Sequence, residues 1–138
     1  MAFEQLFSGM EISASGMSAQ RKKMEVIANN IANAATTRTP AGGPFQRKFL
    51  SFISKIDRNT GEAAGVEIAQ AHVDTSPPRK VYDPGHPDAD AQGFVAYPNV
   101  QVVTEMVELM QATRGFEANV TVLNAVKDMI SKALEIGR

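Results

Sequence analysis

Cysteine is absent from this 138-residue chain, which excludes a disulfide framework, a thiolate zinc site and a cysteine nucleophile. That absence leaves the compartment open. Histidine is scarce: His72 and His86 are the only two, fewer than most metal sites require. No charge of one sign dominates, since fourteen Lys and Arg meet fifteen Asp and Glu for a net charge of −1. Such a balance supplies no electrostatic drive towards nucleic acid or an anionic membrane. Long apolar runs are missing too, and none approaches the length that spans a bilayer. The N-terminal stretch is not expected to act as a secretory signal. Its first basic residue is Arg21, and Glu4, Gln5, Ser8, Gly9 and Glu11 interrupt any apolar core. Neither a nucleophile elbow nor a glycine-rich phosphate loop is present. The expectation is a protein that is not an enzyme, with no cofactor, metal or small-molecule substrate, recognising its partners by shape and apolar contact.

What is there has an ordered distribution. The composition, 43% apolar and 21% charged, is that of a folded chain, and the length suits one domain. All seven prolines lie between Pro40 and Pro98, and all seven methionines lie outside that stretch. Proline breaks helix interiors and methionine favours them, so the chain divides into helix, insert and helix. The boundaries fall at residues 1–36, 37–98 and 99–138.

Both ends carry a heptad stripe. Phe3, Met10, Met17, Met24 and Ile31 recur every seven residues, and Phe7, Ala14, Arg21, Ala28 and Ala35 fill the alternate positions. The second segment, with Asn99 as the expected N-cap, repeats the spacing. Its stripe runs through Val102, Met106, Leu109, Thr113, Phe116, Val120, Leu123, Lys127, Ile130 and Leu134. A 4-3 repeat of this kind keeps one face of each helix on one partner. The fold class expected is mainly α with a small β-rich insert, the two long terminal helices pairing antiparallel as a coiled coil to make a discontinuous inner domain. Phe3 would lie opposite Leu134, which brings Arg21 near Glu117 and Lys127 near Glu11. Both cations interrupt an apolar stripe, and a polar seam residue can set register.

Further apolar residues lie off these stripes, among them Leu6, Ile12, Val26, Val103, Val107, Met110 and Val122. A helix apolar nearly all round must be buried nearly all round, so neighbouring subunits are expected to cover these faces. The alternative is an insert that folds back over them. Within the insert, the cluster from Phe45 to Ile56 and the alternating run from Val66 towards Val73 flank a turn at Arg58-Asn59-Thr60-Gly61. Lys80-Val81-Tyr82 and Phe94-Val95-Ala96-Tyr97 flank a second, Asp83–Asp88. Its aspartates resemble a calcium loop only in part, because Asn99 stands where the bidentate Glu belongs. Turn residues are the better reading. Arg21-Lys22-Lys23, the only basic triplet, spreads around a helix and makes a poor nucleic-acid footprint. Asn30, Asn33 and Asn119 are poor helix formers, which points to side-chain hydrogen bonds with nearby backbone.

The segment Ile27-Ala28-Asn29-Asn30-Ile31-Ala32-Asn33-Ala34-Ala35-Thr36 resembles the N-terminal signature of the flagellar rod and hook axial proteins, Ala-x-Asn-Ile-Ala-Asn with a following Thr. Asn30, Asn33 and Thr36 carry that match. Ile12-Ser13-Ala14-Ser15-Gly16-Met17, Gly42-Gly43-Pro44, Tyr82–Ala89, Pro98-Asn99-Val100 and Arg114–Asn119 narrow it to the proximal-rod branch. The resemblance implies a structural subunit of the basal body whose terminal helices form the inner layer of a hollow, torque-transmitting rod, with the insert outside. It implies export by the flagellar type III apparatus without a cleavable signal peptide, and a place in the rod crossing the periplasm. The implied partners are further copies of the chain, other rod proteins and a membrane-ring or export-gate adaptor at the base. A soluble coiled-coil adaptor or chaperone of a type III secretion system is the alternative.

Overall fold

The computed structural model describes residues 2–137, with side chains from residue 4 onward. Two long helices enclose the insert: α1 spans Ala2–Ala32 and α2 spans Val102–Ile136. Between them come β1 (Lys48–Ile56), β2 (Ala63–Val73), β3 (Arg79–Tyr82) and β4 (Phe94–Tyr97). The strands form two separate antiparallel pairs, β1 with β2 and β3 with β4. No helix among the described residues is long and apolar enough to cross a membrane.

The asparagines end α1. Asn33 folds its side-chain amide back onto the Asn29 carbonyl at 2.8 Å, and Thr36 donates its hydroxyl to Asn33 Oδ1 at 3.2 Å. The Asn29 carbonyl already accepts from the Asn33 backbone amide, so these side-chain bonds reinforce the last turn, while the Ala34 and Thr36 amides close onto the Ile31 and Asn33 carbonyls. At the other boundary α2 begins two residues later than the sequence suggests: its N-cap is Gln101, without a side-chain cap bond, and Asn99 is exposed before it. The β1–β2 hairpin closes where the sequence places the turn. The Gly61 amide bonds the Asp57 carbonyl at 2.8 Å, and the Asp57 carboxylate accepts from the Asn59 amide at 2.7 Å. Two bulges bend β2: Ala69 is the extra residue opposite Ser51 and Phe52, and Ala64 the extra residue opposite Lys55 and Ile56.

The helices pack antiparallel. Gly16 lies against Asn119, Gln20 against Gly115, Met24 beside Thr113 and Asn30 beside Glu105. That register agrees within a turn with the expected placing of Phe3 opposite Leu134, although the side chain of Phe3 lies outside the described residues. The contact stripe is another matter. Half of the expected stripe lies at or beside it: Met10, Met17, Met24 and Ile31, with Leu109, Phe116, Leu123 and Ile130, are half-buried. The alternate positions are displaced by one residue towards the N-terminus in both helices. Ser13, Gln20 and Ile27 take the place of Ala14, Arg21 and Ala28, and Glu105, Ala112, Asn119 and Val126 that of Met106, Thr113, Val120 and Lys127. Thr113 and Val120 remain half-buried at the flank, while Met106 is 53% exposed.

Two causes produce the shift. Gly16 and Gly115 leave room for Asn119 and Gln20 of the opposite helix, and the small Ser13 and Ala112 are buried between the helices. And the displaced stripe releases Arg21 and Lys127 to solvent, where both are exposed, so no unpaired cation is buried. The insert also does more than sit apart. β2 runs along α1, with the Val66 amide bonded to Ser15 Oγ, and Ala19 is 7% exposed. Folding-back is therefore realised on α1, but the outward face of α2 stays open.

Candidate assembly surface and the node that orients it

A cluster of buried polar side chains joins the helices to the hairpin. Asn30 and Glu105 are each 1% exposed, although neither residue type is usually buried. Asn30 donates its amide to Glu105 Oε2 at 3.0 Å and to the Lys48 carbonyl at 2.8 Å, and it accepts from the Lys48 amide at 3.0 Å. The asparagine thus fills the place of a strand partner for the first residue of β1. Arg47, just before that strand, bonds Glu105 through Nε and reaches Glu108 with its other arm at 3.3 Å. Its guanidinium also lies 5.9 Å from the Phe49 ring centroid. Burial opposes the Arg47 charge, yet the hydrogen bond and charge of Glu105, with Glu108 and Asp74, outweigh it and raise its pKa above the ordinary value. Every buried charge in the node has a partner, which is the condition for tolerating it there.

Further along the pair, two side-chain amides sit on glycines of the opposite helix. A Cβ on Gly16 would meet Asn119 Nδ2 at 2.9 Å, and a Cβ on Gly115 would meet Gln20 Nε2 at 3.0 Å. Asn119 is fixed by a bond to the Gly115 carbonyl at 2.9 Å, which explains a mid-helix asparagine that no cap could. The arrangement is reciprocal: an amide over a glycine in each direction. It sets register by shape, where the sequence suggested charge. Arg21 and Lys127 take no part in it.

The aspartate-rich loop between β3 and β4 holds itself together. Asp90 Oδ1 accepts from the amides of Gln92 and Phe94, both at 2.9 Å, and Asp83 Oδ1 accepts from Gly85 at 3.3 Å. The backbone bond from Phe94 lowers the Asp90 pKa below its ordinary range. Asp88 accepts the Thr37 hydroxyl at 2.8 Å, tying the loop to the chain leaving α1. Carboxylates spent on turns are not arranged around a central point, and His86 is turned to the Asp88 amide at 3.1 Å.

The remaining residues of the expected stripes mark what stays uncovered. Phe7 is 59% exposed, Val102 40% and Leu134 62%. On α2, Val103, Met106, Val107 and Met110 form one outward ridge, with exposures of 76%, 53%, 43% and 56%. The ridge carries i, i+3, i+4, i+7 spacing, the signature of a packed helix face, but the described residues leave it largely uncovered. Sequence reasoning missed the Arg47–Glu105 pair. Its one visible trace was an acid inside the apolar run that opens α2.

The terminal segments match two family models: residues 10–38 that described as flagella basal body rod protein, and residues 91–136 that of the flagellar basal body rod FlgEFG protein C-terminal. Among full-length proteins, the flagellar basal-body rod protein FlgC of Bacillus subtilis (strain 168) is 42% identical, the alignment covering 96% of this chain and 98% of that one. The FlgC of Salmonella typhimurium is also 42% identical, over 96% and 98%. That of Borreliella burgdorferi is 40% identical over 95% of this chain and 97% of its own length. The spread of the match over helices and insert alike decides the matter: this chain belongs to the FlgC family of flagellar basal-body rod proteins.

Proposed function

We propose that the chain is a structural subunit of the proximal rod of the bacterial flagellar basal body. It polymerises through α1 and α2, which pair as a coiled coil, into a hollow shaft that transmits torque. Residues 1–36 and 99–138 make the inner domain of that shaft, and residues 37–98 sit outside it. The observation that carries the reading is the open ridge on α2, in a chain whose relatives along its whole length are named as rod proteins. A face of this kind is stable in water only when another surface covers it. The reading is mechanical. Interlocked helices resist bending and twisting, and the Asn30–Glu105–Arg47 node carries force from the helices into the insert.

Its partners are further copies of itself, other rod proteins, and the adaptor between membrane ring and export gate at the base. It crosses into the periplasm through the flagellar type III apparatus. The test is a deletion strain complemented with a tagged chain. The tag should be recovered in purified basal bodies after detergent and salt washing, and motility should return. Motile deletion cells, or a tag found only in the soluble fraction, would overturn the proposal.

A further inference from the structure

The hairpin lies along α1 and is hydrogen-bonded to it at two places. At its base the Asn30 amide holds both backbone groups of Lys48. Nearer its tip the Ser15 hydroxyl donates to the Ile12 carbonyl at 2.7 Å and accepts from the Val66 amide at 3.0 Å. Beside it Gly65 is buried, with φ at +119°, and an added Cβ there would stand 2.2 Å from Ser15 Oγ and 3.0 Å from Ser15 Cβ. Only glycine fits both the conformation and the space. Gly65 pairs with Lys55 next to the bulge at Ala64 in β2, so the contact coincides with the point where the hairpin bends.

A two-stranded hairpin is marginal by itself, and one tied only at its base would pivot. Fifteen residues of helix separate Ser15 from Asn30, roughly 22 Å. Two attachments that far apart fix direction as well as position. We infer that Ser15 and Gly65 are positioning residues: they set the angle at which the hairpin lies on the helix pair and make the two a single rigid lever. The mechanical part of this rests on the rod-subunit reading; the geometric part does not.

Amide hydrogen exchange on the purified full chain tests the geometry. Ser15→Ala should speed exchange at the Val66 amide about three- to tenfold, the worth of one hydrogen bond, and leave the Lys48 amide unchanged. Ser15→Thr, which keeps the hydroxyl, should behave as wild type. Gly65→Ala should loosen the whole tip, and adding Ser15→Gly should recover part of the protection by removing both obstructing atoms. A wild-type Val66 amide that exchanges as fast as the Arg58–Thr60 turn overturns the inference, as does equal acceleration at Lys48 and Val66. In cells, the Ser15→Ala chain should enter basal bodies normally but swim less well as medium viscosity rises. Unchanged swimming there overturns the lever, whereas a wild-type chain missing from basal bodies overturns the rod reading instead.

Discussion

The two ends of the helix pair are built on opposite rules. At the closed end, where α1 leaves and α2 returns, the buried groups are polar and satisfied: Asn30, Glu105 and Arg47 find partners inside one chain. At the free end large apolar residues stay uncovered, with Phe7 59%, Leu134 62% and Ile136 87% exposed. Polar groups must be satisfied by specific geometry and so are best matched within the subunit. Apolar groups need only be covered, and any neighbour of suitable shape can do it. The buried node therefore determines the fold of the subunit, while the free end, with the outward ridge of α2 on the far side of the node, leaves work for assembly.

Breaking the closed end should have the largest effect. Glu105→Ala takes the nearer carboxylate from Arg47, leaving it Glu108, and one of two acceptors from the Asn30 amide; breaking a buried pair costs up to about 3–5 kcal/mol, and the retained partners place this loss at the lower end. For a small protein that is a large share of total stability. Urea unfolding should show the midpoint fall steeply or the cooperative transition vanish. Asn30→Ala should cost less, about 1–3 kcal/mol, because Arg47 keeps Glu105 company and only neutral partners are orphaned. If Asn30→Ala proved the more damaging, the ion pair would not be the centre of the node.

The free end should respond in the opposite way. Phe7→Ser should alter the stability of the isolated chain by less than about 0.5 kcal/mol, since the side chain is already in water. Incorporation into basal bodies should nevertheless fall, as judged by the amount of chain recovered with them. Limited proteolysis of the isolated chain should cut first near the free end and spare the node, because exposed helix ends without tertiary support fray. Protection of residues 4–10 equal to that of residues 27–31 would erase the difference between the ends.

How much of this the sequence disclosed follows from the range of the interactions. The helix–insert–helix order was legible because proline and methionine act locally, and so were the two hairpins, whose turns announce themselves through Asn59, Gly61 and the aspartates. The heptad repeat gave the presence and register of two matching helices. It could not distinguish which alternate residue faces in, because Ala14 and Ser13 or Ala28 and Ile27 fit a stripe about equally well until the other helix is in place. The node left no periodic signal at all. Arg47 and Glu105 are 58 positions apart, and nothing near either residue records the other. The asparagines were legible as anomalies only, their partners being long-range for Asn30 and local for Asn33.

The smallest effect expected is at Arg21. By its place in the heptad it would belong in the seam, paired with Glu117 and fixing register; the structure has both residues exposed, with Gln20 in the contact. Arg21→Glu and Glu117→Arg should each change the stability of the isolated chain by no more than about 0.5 kcal/mol, and the double variant should show no recovery beyond the sum of the two. Surface charges are screened and contribute little, so this follows even though the two residues lie at similar heights along the pair. A coupling above about 1 kcal/mol in the double-mutant cycle would mean that the helices rotate in solution to bring the expected stripe together. If the isolated chain is indifferent but rods fail to form with Arg21→Glu, the cation contacts a neighbouring subunit. Charge at mid-helix would then select partners, while the amides of Gln20 and Asn119 on their glycines keep the register.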